Sequence, residues 1–352
     1  MTFIDDLLFA PAPAACRAPV LHRLLDATLR LPPEYGEGLS NHLPMALAAL
    51  DALGADEARM EAFVASYVAR FEMSSTTAQA TSGCAGCADW TTQLGRFAAF
   101  DALREHFASA LAERGRDAVL RASLPVLLLG VGAVAFHGLI RTAHAVESAY
   151  EPELAAALAY WAARWLPLEA PPESAAAFAS AAEWLDAIDA RLQAADAGWA
   201  PRGRLIVDRM REATRTAAYR ELAGRGVERP LVALGDLARA AAARYAATRN
   251  FTVLHLVTGA RAARVLAPWL PRGDAALAPL WHAVAAASLA SRVALAPRPR
   301  FEVEPLSWLE VRERARASDD DHVVKLVHAV SSQVAFEPDP VWLAAGRAAV
   351  SR

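Results

Sequence analysis

The chain has 352 residues, 55% of them hydrophobic and 21% charged, with a formal net charge of -3. That apolar fraction is enough for a large core. The nearly balanced charge lacks the basic face that nucleic-acid binding needs.

The N-terminal segment carries Asp5 and Asp6 in place of a positive n-region, so no signal peptide is read and a reducing cytoplasm is the expected location. Three cysteines, Cys16, Cys84 and Cys87, do not make a disulfide framework. Apolar residues three or four apart predict helices over 16–30, 43–53 and 56–71. The small polar run Ser74 to Gly86 then reads as a loop. Further helices are predicted over 88–114, 126–148, 151–165, 172–195 and 201–222. The pattern continues over 230–247, 250–266, 274–293, 305–316, 320–335 and 339–350. Ala-rich composition favours helix, and alternating β-branched runs are almost absent. Breaks fall at Pro32-Pro33, Pro167 to Pro172, Pro201, Pro268 to Gly273 and Pro297 to Pro305, and none is long enough to force a domain boundary. The expectation is an all-α, compact multi-helix bundle forming a single domain over 1–352.

Ala122 to Ile140 carries no formal charge and is just long enough to span a bilayer. Pro125, Gly130, Gly132 and His137 interrupt it, so a buried central helix is predicted in its place. Within it, Gly130 to Ala135 fits GxGxxA, but a nicotinamide site needs following parallel strands that the chain does not supply. Cys84-Ala85-Gly86-Cys87 lacks the second ligand pair of a structural zinc site.

Nine histidines occur, several in apolar helical contexts, where a lone histidine is more often a satisfied core residue than a ligand. His42 lies at the start of a predicted helix, with Ser40 or Asn41 as its cap and Pro44 in its first turn. His137 and His144 are seven apart, two helical turns on one stripe, and Gly138 leaves room beside the first. Glu147 is placed to orient His144. His255 is followed by Thr258 and Gly259 on the same helical side, and His282 follows Trp281 in an apolar helix. His22 and His106 read as surface residues.

Of 36 cationic side chains only Lys325 is a lysine. Arginine cannot lose its proton at ordinary pH, whereas a buried lysine can, and its neutral amine can act as a base or take up CO2 as a carbamate. The run Asp319-Asp320-Asp321-His322 suits a helix N-terminus, which puts His322 and Lys325 one turn apart on one face. The plain alternative is a surface lysine behind an acidic cap.

These motifs resemble the questin oxidase-like family. The matching pieces are Tyr35 to Met45 with the apolar run to Leu50, Trp90 with Leu94-Gly95, Phe136 to Arg141, His255 to Gly259, and Asp320 to Lys325. The resemblance implies an all-helical oxygenase that opens the ring of anthraquinone-like substrates, with Fe(II) held by four histidines and a carboxylated lysine. Carried over, Lys325 is the lysine, with His42, His137, His255 and His322 as ligands and His144 in reserve. Lys325 and His322 are the residues expected to carry catalysis. The fungal pattern has proline after the residue matching His137 and an aromatic near 144, where this chain has Gly138 and His144. Tyr35, Met45, Trp90, Phe136 and Trp281 are the expected substrate contacts, each weighed against plain core packing. Three functions are compatible: an iron oxygenase using O2 on an aromatic small molecule, an NADPH-dependent Baeyer–Villiger-type oxidase without a bound metal, and a non-catalytic small-molecule binder. None involves nucleic acid or a membrane.

Overall fold

The computed structural model describes residues 18–73, 89–172, 176–295 and 303–351. Within these the protein is all-α: sixteen helices and one two-stranded antiparallel sheet. The three cysteines, and the whole run 74–86 read as a loop, lie outside the described residues.

The chain begins with α1 (Ala18–Thr28) and a short hairpin, β1 (Glu34–Tyr35) and β2 (Leu39–Ser40), in register Glu34↔Ser40 and Tyr35↔Leu39. Its turn places Gly36 and Gly38 at φ +54 and +89, conformations that glycine adopts without a Cβ penalty. There follow α2 (Leu43–Ala52), α3 (Glu57–Met73) and, after two 3-10 turns at Trp90–Gln93 and Phe97–Ala99, α4 (Phe100–Arg114). The predicted helix 88–114 therefore starts twelve residues late. Asp89 closes a local turn on Thr91 N, and Gly95 at φ +75 cannot continue a helix.

The predicted central helix over 126–148 is corrected. The uncharged stretch is split between α5 (Arg116–Leu128) and α6 (His137–Ser148), joined by a turn and a 3-10 segment at Ala133–Phe136. Close approach explains the two intervening glycines. A Cβ on Gly130 would meet the Trp165 ring at 2.5 Å, and one on Gly132 would meet Leu168 at 3.0 Å. No helix among the described residues is long and apolar enough to cross a membrane.

Next come α7 (Glu151–Ala163) and α8 (Ala181–Ala195), then α9 (Ile206–Ala213) and α10 (Ala217–Leu222). The helix predicted over 172–195 begins at residue 181, where Ser180 accepts from Glu183 N. The one predicted over 201–222 is divided because Thr216 starts a new helix by accepting from Tyr219 N. The chain ends with α11 (Leu234–Thr248), α12 (Phe251–Leu266), α13 (Asp274–Ser291), α14 (Trp308–Ala317), α15 (Asp321–Gln333) and α16 (Pro340–Val350). Asn250 caps α12 through the amides of Thr252 and Val253, and Asp320 caps α15 through that of His322.

Four helices close a ring: α2 packs on α6, α6 on α12, α12 on α15, and α15 back on α2. One contiguous apolar core runs through these and the flanking helices. At one end of the ring the chain places four histidines near helix N-termini.

Candidate metal centre

His42 is the N-cap of α2, His137 the first residue of α6, His322 the second of α15, and His255 lies in the second turn of α12. The ring of helices becomes a ring of imidazoles. Centroids are 4.6 Å apart for His42 and His137, 5.0 Å for His137 and His255, 5.7 Å for His255 and His322, and 4.8 Å for His322 and His42. His144, two turns further along α6, is not in this ring. It faces His328 at 5.2 Å.

The outer nitrogen of each imidazole faces an acceptor. His42 Nδ1 donates to Asp321 Oδ2 at 2.5 Å, His137 Nδ1 to the Val134 carbonyl, and His255 Nδ1 to the Phe251 carbonyl at 2.9 Å. His322 Nδ1 lies 3.3 Å from Asp321 Oδ2 and 3.4 Å from Asp320 Oδ1. These partners assign the ring protons to Nδ1 and leave Nε2 as a lone pair. His42 Nε2 and His137 Nε2 then face each other at 2.6 Å, and His322 Nε2 is buried with no hydrogen-bond partner. Two lone pairs at that distance repel unless one imidazole is charged.

Burial opposes that charge. It pushes His42 down to about 3 and holds His137 and His255 well below the ordinary histidine range, with the neighbouring imidazoles and Lys325 adding to the effect. The positive ends of α2, α6 and α15 act in the same direction. His42, His137 and His255 are therefore neutral imidazoles whose lone pairs converge with the unpartnered Nε2 of His322, which fits a divalent transition metal between them.

Asp321 is the carboxylate beneath this ring. Sequence reasoning read it only as part of an acidic helix start, yet it is 4% exposed and sits on His42, 3.3 Å from His322 Nδ1, 3.6 Å from Lys325 Nζ and 3.4 Å from Arg70. Burial alone would raise its carboxyl, but His42, Lys325 and His322 outweigh this and hold it well below the usual carboxylate range. His42, Asp321 and His322 offer ligand atoms within 4.8 Å of one another. Because Asp321 is bonded to the Nδ1 side of His42, it orients that imidazole rather than sharing the Nε2 face. Only its contact with His42, from an element far away in sequence, shows this role, with Lys325 one turn further along the same helix.

Lys325 is 3% exposed, one turn after His322. The surface alternative is excluded. Burial lowers its amine below the ordinary lysine range, an effect Asp321 and Asp320 only partly offset.

The residues 134–136 that deliver His137 are strained. Val134, Ala135 and Phe136 have φ of 42, 54 and 67. Left-handed backbone costs an L-residue roughly 1–2 kcal/mol. The bend turns the Val134 carbonyl onto His137 and sends Phe136 against Gly259, where an added Cβ would meet the ring at 3.3 Å.

A cavity of about 300 Å³ opens onto the four histidines, each of which lines it. The hairpin contributes Tyr35 and Leu39, the strained turn Val134 and Ala135, the start of α9 Leu205 to Val207, and α12 Phe251. Of the expected substrate contacts only Tyr35 lines this cavity. Met45 is buried within α2, Trp90 packs on Phe107, Phe136 at the end of the strained turn packs on Gly259, and Trp281 packs on Trp184 and lines a different cavity. Met45, Phe136 and Trp281 are core residues and Trp90 is partly buried against the core, for the packing reason that makes any one aromatic a weak site marker. The missed residues were Phe251 and the α9 segment, which carry no local signal.

Below Lys325 lies a second buried group. His144 and His328 each keep an unpartnered Nδ1, and Arg261 Nη2 lies 3.3 Å from His328 Nε2. Glu147 is paired with Arg261, so it does not orient His144 as its sequence position suggested.

No curated protein matches the chain. The sequence profile of the questin oxidase-like family matches residues 39–330, a span that contains all four ring histidines, Asp321 and Lys325. With that match over most of its length, the chain belongs to the questin oxidase-like family, whose name places it among oxidoreductases with small-molecule substrates.

Proposed function

We propose that the protein is a non-haem iron oxygenase that oxidatively cleaves a polycyclic aromatic, anthraquinone-like substrate, with Fe(II) held by His42, His137, His255 and His322 and by Lys325 as its carbamate. The observation that carries this is the convergence of neutral imidazole nitrogens in the floor of an apolar cavity, with Nδ1 of each occupied from behind. Four nitrogens and one anionic oxygen exceed tetrahedral zinc and suit iron. Iron(II) in that shell supplies the one-electron chemistry that lets O2 react with an aromatic ring.

The chain's own residues do the rest. Asp321 and the Val134 and Phe251 carbonyls fix the tautomers of three imidazoles, so their lone pairs are ready without rearrangement. Burial makes the Lys325 ammonium, paired with Asp321 at rest, easier to deprotonate than an exposed one. Once deprotonated, that amine adds to CO2: a nitrogen–carbon bond forms as one C–O π bond opens onto oxygen, the proton lost from nitrogen goes to water, and the long stem then ends in a carboxylate. Asp321, 3.6 Å from Nζ, is placed to accept the remaining N–H. Leu39, Val134, Ile206 and Phe251 line the space above the histidines with apolar surface that takes a flat ring and excludes water.

Metal analysis of the purified protein tests this. About one iron per chain is expected, bound tightly enough to survive gel filtration. Lys325→Ala and His255→Ala should each lose most of it while the helical circular dichroism persists. No metal after anaerobic reconstitution with Fe(II), together with quinone-dependent NADPH consumption, would replace this reading with the NADPH-dependent Baeyer–Villiger-type alternative that binds no metal.

A further inference from the structure

The cavity wall carries a charge that the donor set does not account for. No aspartate or glutamate lines the cavity, but Arg204 and Arg209 do. Arg204 is more than half exposed and already engaged, pairing with the Glu37 carboxylate and donating to the Glu37 carbonyl at 2.9 Å. Arg209 is different. It stands on α9 three residues after Ile206 and four after Leu205, so it shares their cavity-facing side. Its Nε is buried with no hydrogen-bond partner, and among the described residues it forms no ion pair. Arg209 as a whole is half-buried, but its buried Nε without an acceptor is costly, and no carboxylate stands beside its charge in the cavity wall.

We infer that Arg209 is a specificity-determining residue that grips an anionic oxygen, phenolate or carboxylate, on the aromatic substrate. This rests on the reading of the cavity as the substrate site. The guanidinium fork suits a carboxylate or a phenolate, whereas a neutral polycyclic ring would leave it unpaired. The flat ring would lie against Phe251 and Ile206, with the charged substituent toward α9 and the ring to be attacked toward His137 and His255.

The test is equilibrium binding by fluorescence quenching, with iron-loaded and chelated protein in parallel, of anthraquinone-2-carboxylate, its neutral hydroxymethyl analogue and 2-hydroxyanthraquinone. Wild type should prefer the carboxylate to the neutral analogue by roughly tenfold to a hundredfold. Arg209→Gln should erase that preference while binding the neutral analogue as before. Arg209→Lys should restore part of it, which also covers the case of a poorly folded glutamine variant. A rise in 2-hydroxyanthraquinone affinity as the phenol ionises, absent in Arg209→Gln, identifies phenolate as a natural handle. Arginine dependence confined to the carboxylate identifies that group instead. Equal affinity for charged and neutral ligands in wild type, or an unchanged preference in Arg209→Gln, overturns the inference. Because binding is read without iron as well as with it, absence of metal would defeat the oxygenase reading and leave this one standing.

Discussion

Replacing Asp321 by asparagine keeps the shape of the side chain and removes one negative charge from the most connected carboxylate near the site. His42 Nδ1 can still donate to the amide oxygen, so the tautomer survives. What is lost is the counter-charge to Lys325, whose Nζ lies 3.6 Å from Asp321 Oδ2 with both groups about 95% buried. At that distance and an effective dielectric of about 20, the pair interacts by about 5 kcal/mol. Breaking a buried pair by removing one partner typically costs roughly 3–5 kcal/mol, in agreement. The two forms of Lys325 give the test its discrimination. In metal-free, CO2-depleted protein the lysine is an ammonium that needs Asp321, and Asp321→Asn should lower unfolding free energy by roughly 3–5 kcal/mol in denaturant titrations. In iron-loaded, bicarbonate-treated protein a carbamate no longer needs a counter-anion, so the loss should be smaller, while iron affinity falls about 10- to 100-fold from the weakened support of His42 and His322. Equal stability of wild type and variant in the metal-free state would refute the assignment of Asp321 as the counter-ion. An unchanged iron affinity would refute its role in orienting His42.

Two further outcomes follow from the packing and the histidine environments. An added Cβ at Gly138 would stand 2.5 Å from Trp161 Cγ and 2.7 Å from its Cβ, atoms close to the backbone that cannot swing away. Gly138→Ala should therefore cost roughly 1–3 kcal/mol by overpacking and, by displacing the adjacent His137, weaken iron binding. Denaturant midpoints and iron titration check both, and an unaltered midpoint would show that α6 and α7 separate freely. The pH dependence should be one-sided. His42, pushed to about 3, and His282, to about 4, together with His137, His144, His255 and His328 well below the ordinary value, all have depressed folded-state values, with burial the first cause in each. Their contribution is present in full above the unfolded value of about 6.5 and is lost as pH falls, because the unfolded chain then binds more protons. Chelated protein should lose several kcal/mol per pH unit below about pH 6, read from denaturant titrations between pH 5 and 8. A flat stability profile across that range would mean that these histidines are already charged in the folded state.

Helical periodicity, caps and prolines determined most of the secondary structure, because those signals act within a few residues. Asp320 before His322 and Asn250 before Phe251 set helix starts that the structure keeps. The same local reading failed at residues 129–136. There Trp165 and Leu168, from a distant part of the chain, demand glycine, and three left-handed residues replace a helix that composition favours. Lys325 stood out by being alone among the cations, and its position one turn after His322 followed from helix geometry. Which histidines met was decided by the tertiary structure. His137 and His144 share a stripe, but helix order puts α12 and α2 beside the first and His328 beside the second. Asp321 as a hub, Phe251 over the cavity and the unpaired Arg209 have no sequence signature, because each role depends on a partner from another helix or hairpin, brought near only when the ring of helices closes.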